Sequence, residues 1–275
     1  SVYAAKHGLK VRHVYYTPLE QTFSLVEEGN GLVFFGTADP WIDFDRIRDL
    51  CVSKHLNYKA LKDANHSLET GSVDVDVERI TEIIHEAEDY LVGGSIYGIS
   101  VIRRDGSPES MRDYRGKVLL IVNSATGCGF TPQYEALEQL YRDHAGDGLE
   151  ILDFPCDQFG HQAPGTSDEI HSFCTSRYDI SFSQFAKIEV NGPGESELYA
   201  YLKSKQGFGG FLRNSKESIY MEKRVAEADP NYLYNSDVKW NFTKFLVNRC
   251  GQVIRRFEPD AGTEIVRQAV EKELA

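Results

Sequence analysis

The sequence predicts an α/β chain in two parts, and three observations predict it. Apolar runs of strand length, such as Leu32-Val33-Phe34-Phe35 and Val118-Leu119-Leu120-Ile121-Val122, alternate with segments of helical period, the pattern of βαβ units. Gly93-Gly94 interrupts that alternation directly after a helical segment, where adjacent glycines stop a helix and leave the backbone free. Beyond it, the alternation resumes and then closes differently, on a hairpin followed by a helix. The expected domains are residues 1–92 and 95–275.

In the first part, Val11 to Tyr16 reads as a short strand and Glu20 to Glu28 as a helix ended at Asn30-Gly31. Leu32 to Phe35 is a buried strand leading into Gly36-Thr37-Ala38-Asp39-Pro40-Trp41. Phe44 to His55 is helical. Asn57 to Leu61 is strand-like and runs into Asn65-His66-Ser67. Val77, Ile80, Ile83, Ile84, Ala87 and Leu91 recur at helical spacing.

In the second part, Ile96 to Ile102 is expected as a strand, with turn material at Gly106-Ser107-Pro108. Val118 to Val122 is the central strand, and Glu135 to His144 the helix after it. Leu149 to Phe154 is the next strand. Asp168 to Arg177 is a helix, Phe185 to Val190 a strand, and Leu198 to Lys203 a helix. Lys244 to Asn248 and Gln252 to Phe257 form a hairpin about Arg249-Cys250-Gly251. Gly262-Thr263 opens a last helix running to Leu274. This order fits a thioredoxin-like fold.

The stretch Asn123 to Tyr134, NSATGCGFTPQY, organises the second part. Cys128 sits where a buried strand ends and a helix is about to begin. Free backbone N–H groups and the positive end of a helix dipole favour thiolate over thiol. Gly127 and Gly129 flank the sulfur and allow close backbone approach, and Pro132 suits a first helical turn. The same pattern also suits a small buried cysteine, which is usually inert.

The longer segment NSATGCGFTPQYEALEQLY resembles the active site of the glutathione peroxidase family in its cysteine form. Three further blocks match that family in order: FPCDQFGHQAPG (Phe154 to Gly165), FAKIEVNG (Phe185 to Gly192) and KWNFTKFL (Lys239 to Leu246). The resemblance covers roughly Gly94 to Ala275 and implies a thioredoxin-like fold. It implies a thiol peroxidase that reduces hydrogen peroxide and organic hydroperoxides through Cys128. By motif position, Gln162, Trp240 and Asn241 surround the sulfur, as neutral N–H donors that hold charge without titrating. Gln158, in CDQF, is not the carried-over position. The resemblance also implies that Cys174 resolves the sulfenic acid of Cys128 into an intramolecular disulfide. Thioredoxin is then the expected reductant, with glutathione as the alternative. A peroxide sensor that relays oxidation to a partner protein would use the same residues. Cys156 is a weaker candidate resolver, Cys250 is expected exposed in its turn, and Cys51 is expected to pack. Three residues depart from the family pattern: Asp157, Ser183 and Ala163. An inward-pointing Asp157 carboxylate would oppose thiolate formation.

Residues 1–92 lie outside that resemblance and instead resemble the C-terminal end of an α/β-hydrolase. In that family an acid follows one late strand and a histidine the next, the places of Asp39 and His66. A triad needs a nucleophile as well. No Gly-x-Ser-x-Gly occurs, so an ester or acyl hydrolase would need a nucleophile from outside this chain. Asp39 and His66 are therefore expected as hydrolase relics or structural residues.

Composition narrows the remaining classes. The chain has 275 residues, 41% of them hydrophobic, and a formal charge of −12. With no basic run, nucleic acid and membrane are not expected partners. The opening SVYAAKHGLK lacks a starting Met and the apolar core of a signal peptide, and a cytoplasmic location is expected. Five cysteines without a metal-type pair indicate reduced thiols, no metal and no bound cofactor, a thiol reductant serving as cosubstrate. The segment Gly207 to Asp237 is expected either to form a homo-oligomer contact or to cover the active site.

Overall fold

The computed structural model describes residues 13–26, 31–92, 94–212 and 215–275. The chain divides between Gly94 and Ser95 into two compact units. The expected strand residues at 11–12, the helix end at 27–30 and Gly93 of the linker lie outside the described residues.

The first unit carries a parallel sheet of β1 (Val14–Tyr16), β2 (Leu32–Gly36) and β3 (Asn57–Leu61), in that order. Glu20–Leu25 forms a 3-10 helix, and the α-helices are α1 (Phe44–Ser53) and α2 (Val73–Val92). Strand parity sorts the core. Val33 and Phe35 pack with Ile47 and Cys51, whereas Leu32 and Phe34 pack with Ile83 and Ala87. Gly36 admits no side chain, since a Cβ there would lie 2.0 Å from the Ala64 carbonyl oxygen. Helix α2 starts four residues earlier than the apolar spacing predicts. Asp76 accepts from the Thr70 and Gly71 N–H groups and fixes that start. Only Ile83 and Ala87 of its expected apolar face are buried; Val77, Ile80, Ile84 and Leu91 are exposed.

The second unit is built on a five-stranded sheet. Its strands are β6 (Val118–Ser124), β7 (Leu149–Pro155), β8 (Ser183–Gln184), β9 (Lys244–Val247) and β10 (Val253–Phe257), in the order β10-β9-β6-β7-β8. A separate hairpin pairs β4 (Ser100–Ile102) with β5 (Pro108–Ser110). Strands β6, β7 and β8 are parallel, and β9 runs antiparallel to β6. The helices are α3 (Gln133–His144), α4 (Ser167–Tyr178), α5 (Glu197–Lys205), α6 (Lys216–Ala228) and α7 (Thr263–Leu274). Val118, Leu120 and Val122 face a core shared with α3, α4 and α7. Leu119 and Ile121 face the opposite core, shared with α5. The succession β6-α3-β7-α4 followed by β9-β10-α7 is a thioredoxin-like α/β fold.

Three expectations for this unit are corrected. Ile96–Gly98 is a 3-10 turn, because the Ser95 hydroxyl accepts the Tyr97 N–H, and only Ser100–Ile102 pairs as a strand. Phe185 to Val190 is not a strand. After β8 the chain peels away, with Ala186 N–H bonding the Ile102 carbonyl and Ile188 N–H the Pro155 carbonyl. The segment Gly207 to Asp237 is no bare loop, since it holds α6, opened by Ser215 as N-cap. Buried Glu138 ties α3 to the turn before β8, accepting from both the N–H and the hydroxyl of Ser181 at 2.7 Å. Among the described residues no helix is long and apolar enough to cross a membrane, and no group of three ligating side chains could hold a metal ion.

Candidate active site

Strand β6 ends at Ser124, and its chain turns through residues 125–132 before α3 begins. Cys128 lies in this turn and is 7% exposed. The helix starts at Gln133, two residues before the sequence suggests, and a turn amide ahead of it holds the sulfur. Phe130 N–H donates to Cys128 Sγ at 3.4 Å. Cys128 N–H donates to Thr131 Oγ1 at 3.0 Å, and that hydroxyl donates to the Ala125 carbonyl at 2.8 Å. The turn is thus fixed by its own buried polar groups.

Two other loops meet it. The loop after β7 brings Gln162, whose carbonyl accepts the Gly127 N–H at 2.8 Å and the Thr126 hydroxyl at 3.3 Å. A Cβ on residue 127 would approach that carbonyl oxygen to 3.3 Å, so glycine suits the contact. Gly160 and His161 both take left-handed backbone (φ 70° and 51°), which turns Gln162 inward. Asp157 braces this loop: Oδ1 accepts the Ala163 N–H at 2.7 Å. Its carboxylate is therefore spent on the loop it belongs to. Gln158 bonds the Val190 N–H and the Asn191 backbone, a structural role.

The loop before β9 brings Trp240 and Asn241. Asn241 is fully buried and its Nδ2 donates to Gln162 Oε1 at 3.1 Å. Asn123, at the end of β6, clamps this loop: its side chain donates to the Trp240 carbonyl at 3.2 Å, and its own carbonyl accepts the Phe242 N–H at 2.6 Å. Phe242 has φ 68°, a strained conformation for an aromatic residue that the clamp maintains. The Trp240 ring packs against Phe159, with the Arg224 guanidinium 4.7 Å over its face. The loops of Cys128, Gln162, Trp240 and Asn241 are thus tied together at one end of the sheet.

Sequence reasoning passed over Lys244, which faces this site from β9. It is wholly buried, and its ammonium donates to Gln133 Oε1 at 2.6 Å and to the Phe242 carbonyl at 2.7 Å. Burial pushes its pKa down to about 7, while Glu258, Asp260 and Cys128 oppose that fall.

Cys174 is fully buried in α4, in the same core as Cys128. Burial and the charge of Asp153 raise its pKa to about 11. Gln184 Nε2 lies 3.5 Å from Cys174 Sγ and donates to Asp153 Oδ2 at 2.7 Å. The Tyr134 hydroxyl donates to the same carboxylate oxygen at 2.7 Å. Asp153 is therefore a buried acid beside the second thiol, raised to about 6 by burial against the pull of Ser124, Gln184 and Tyr134. Its sequence signal was present: it is a charged residue inside the apolar run ILDF. Cys156 is buried with its pKa raised to about 11, chiefly by burial. Cys250 is exposed, and Cys51 packs in the first unit.

In the first unit Asp39 and His66 do come together. His66 Nδ1 lies 2.7 Å from Asp39 Oδ2, and the Asp39 side chain is fully buried. The Trp41 N–H bonds the other carboxylate oxygen at 2.9 Å, and the Trp41 ring stands 4.5 Å from the imidazole.

Known proteins resemble the second unit. A family model for glutathione peroxidase matches residues 96–203. The glutathione peroxidase homolog of Neisseria meningitidis is 48% identical over 171 residues, spanning 62% of this chain and 93% of its own length. The hydroperoxy fatty acid reductase gpx1 of Synechocystis is 43% identical over 66% of this chain and 96% of its own. The crystal structure of T. cruzi GPX1 matches 66% of this chain and 96% of its own, at 31% identity and a TM-score of 0.47. The chain belongs to the glutathione peroxidase family, and it is a peroxidase, an oxidoreductase that reduces peroxides.

The raised pKa of Asp153 makes stability depend on pH with a definite sign. The folded state holds this proton more tightly than the unfolded chain, whose group titrates near 3.8. Its contribution to stability is therefore present at low pH and lost as pH rises through about 6. Relative to Asp153→Asn, the wild type should lose up to about 3 kcal/mol of stability between pH 4 and pH 7. Chemical denaturation of both proteins across that range checks it; a pH-independent difference contradicts it.

Proposed function

We propose that Cys128 is the peroxidatic thiol and that Cys174 resolves it. The Cys128 thiolate attacks one peroxide oxygen, the O–O bond breaks, and an S–O bond forms. Sulfur is oxidised by two electrons to the sulfenic acid, and the leaving alkoxide or hydroxide takes a proton to become alcohol or water. Gln162, Trp240 and Asn241 supply neutral donors for the charge that moves during this step. The carrying observation is the hydrogen bond from the Asn241 side-chain amide to that of Gln162, whose backbone carbonyl in turn holds the Gly127 N–H beside Cys128. The name of the Synechocystis relative supports organic hydroperoxides as substrates beside hydrogen peroxide.

In the second step Cys174 attacks the sulfenic sulfur, forming a disulfide and releasing water. Cys174 lies within a complete helix, 3.5 Å from Gln184 Nε2, and a local unwinding of α4 is the motion that would free it. A thiol reductant then reopens the disulfide. An internal disulfide favours thioredoxin over glutathione, and no bound cofactor enters the cycle.

Consumption of hydrogen peroxide coupled to thioredoxin and its reductase tests this reading. Cys128→Ser should lose activity by a factor of about 1,000 or more. Gln162→Ala and Asn241→Ala should lose about 100-fold each, the loss of one preorganised donor. Cys174→Ser should stop turnover with thioredoxin while still consuming about one equivalent of peroxide. An active Cys128→Ser ends the reading; full thioredoxin turnover by Cys174→Ser ends the resolving assignment.

The Asp39–His66 pair favours a second reading for the first unit. A buried carboxylate that orients a half-exposed imidazole is the acid–base half of a hydrolytic triad, lacking its nucleophile. Hydrolysis of p-nitrophenyl acetate that falls at least about tenfold in His66→Gln supports it. Rates equal to those of His66→Gln dismiss it for this chain.

A further inference from the structure

Asp153 is a wholly buried acid that the two steps above leave unused. It lies on β7 two residues beyond Ile151, and so faces the core shared with α3 and α4. Its two oxygens are unequal. Oδ2 accepts from the Tyr134 hydroxyl of α3 and from Gln184 Nε2 of β8, both at 2.7 Å. Oδ1 is buried and has no hydrogen-bond partner among the described residues. Burial raises the pKa of the acid to about 6, and the Ser124 hydroxyl of β6 opposes that rise without reaching hydrogen-bonding geometry. The titratable groups that feel its charge are Tyr134, Cys174 of α4 and Tyr199 of α5, each pushed up and so neutral near pH 7. No lysine or arginine among the described residues pairs with it.

The cover over this acid is thin. Of the 12 residues of α4, only Ile170 and Cys174 are buried. Gln184 joins acid and helix. Its Nε2, bonded to Asp153, lies 3.5 Å from Cys174 Sγ, and its Oε1 accepts from Nδ1 of half-buried His171, one turn earlier, at 3.1 Å. Opening this turn of α4 admits water to Gln184 and to the carboxylate behind it. A buried anion with one oxygen lacking a donor gains hydration when its cover lifts. That gain exists only while the acid is ionised.

We propose that Asp153 is a positioning residue for the resolving step: hydration of its buried carboxylate drives the opening of α4 that frees Cys174 for Cys128. This rests on the assignment of Cys174 as the resolving thiol and adds what moves it. Proton linkage sets the sign. The closed helix holds the Asp153 proton more tightly than the opened one, in which the acid returns toward its ordinary 3.8. Opening is therefore suppressed at low pH and grows as pH rises through about 6. Asp153 exchanges no proton with the thiol. The covalent step is unchanged: an S–S bond forms, and the Cys174 proton leaves with the sulfenic hydroxyl as water.

Hydrogen–deuterium exchange of the reduced protein, corrected for intrinsic rates and read by peptide mass spectrometry, tests the opening. From pH 5 to pH 7.5 the opening constant of α4 should rise about tenfold in wild type, while α7, the internal reference, should not follow. Asp153→Asn should abolish that rise, and Asp153→Glu, which keeps the charge, should retain it. Quenched-flow trapping tests the step itself. At pH 7.5 Asp153→Asn should form the Cys128–Cys174 disulfide about tenfold more slowly, with Cys128 oxidised by hydrogen peroxide at the wild-type rate. A merely structural role would shift α7 together with α4 and leave the pH profile in place. Exchange of α4 that ignores pH in wild type, or follows it equally in Asp153→Asn, overturns the proposal. So does a wild-type rate of disulfide formation in Asp153→Asn. A wild type that forms no Cys128–Cys174 disulfide overturns the resolving assignment and this role with it, while the exchange still decides whether Asp153 opens α4, so the two failures are distinct.

Discussion

The second unit depends on one carbonyl, that of Gln162. It accepts the Gly127 N–H, and so fixes the Cys128 turn against the loop that follows β7. The side chain of the same residue accepts from Asn241 and fixes the loop that precedes β9. With the Thr126 hydroxyl on the same carbonyl, three loops from three strands are held by three hydrogen bonds to one residue. The left-handed backbone at Gly160, His161 and Phe242 is what such closure requires, and the rigid sheet beneath sustains that strain. A thiol in this setting is placed by backbone amides, so its surroundings survive changes in charge during a reaction.

Around that frame the protein buries charge that a packing core would exclude. Lys244 sits wholly inside, near neutrality, between the helix that follows Cys128 and the loop of Asn241. Asp153 sits inside beside Cys174 and, after burial itself, helps raise the pKa of that thiol. The two thiols therefore experience opposite fields, a cation near the first and an anion near the second. Burial and the anion together keep Cys174 protonated within its folded helix.

Much of this was legible in the chain. The apolar run Val118 to Val122 and the final hairpin and helix were readable as elements in chain order, because strand and helix periods are local properties. Four ordered motifs identified Cys128, Gln162, Trp240 and Asn241 together, and the structure ties their loops to one another. Residue period could not show that Phe185 to Val190 leaves the sheet, since that depends on bonds to Ile102 and Pro155 far away in sequence. Helix α6 was hidden by the glycines and aromatics around it. Asp153 and Lys244 were visible as charges in apolar strands, yet their partners Tyr134, Gln184 and Gln133 come from other elements. Asp39 and His66 were placed by their strand ends, and their 2.7 Å contact needed the parallel pairing of β2 with β3.

The central claim is that Cys128, alone among the five cysteines, meets peroxide first. The direct measurement is dimedone trapping after one equivalent of hydrogen peroxide, followed by peptide mass spectrometry, in wild type and in Cys174→Ser. The account predicts a dimedone adduct at Cys128 in Cys174→Ser, and a Cys128–Cys174 disulfide in wild type. An adduct at Cys156 or Cys250, with Cys128 unmodified, would contradict it.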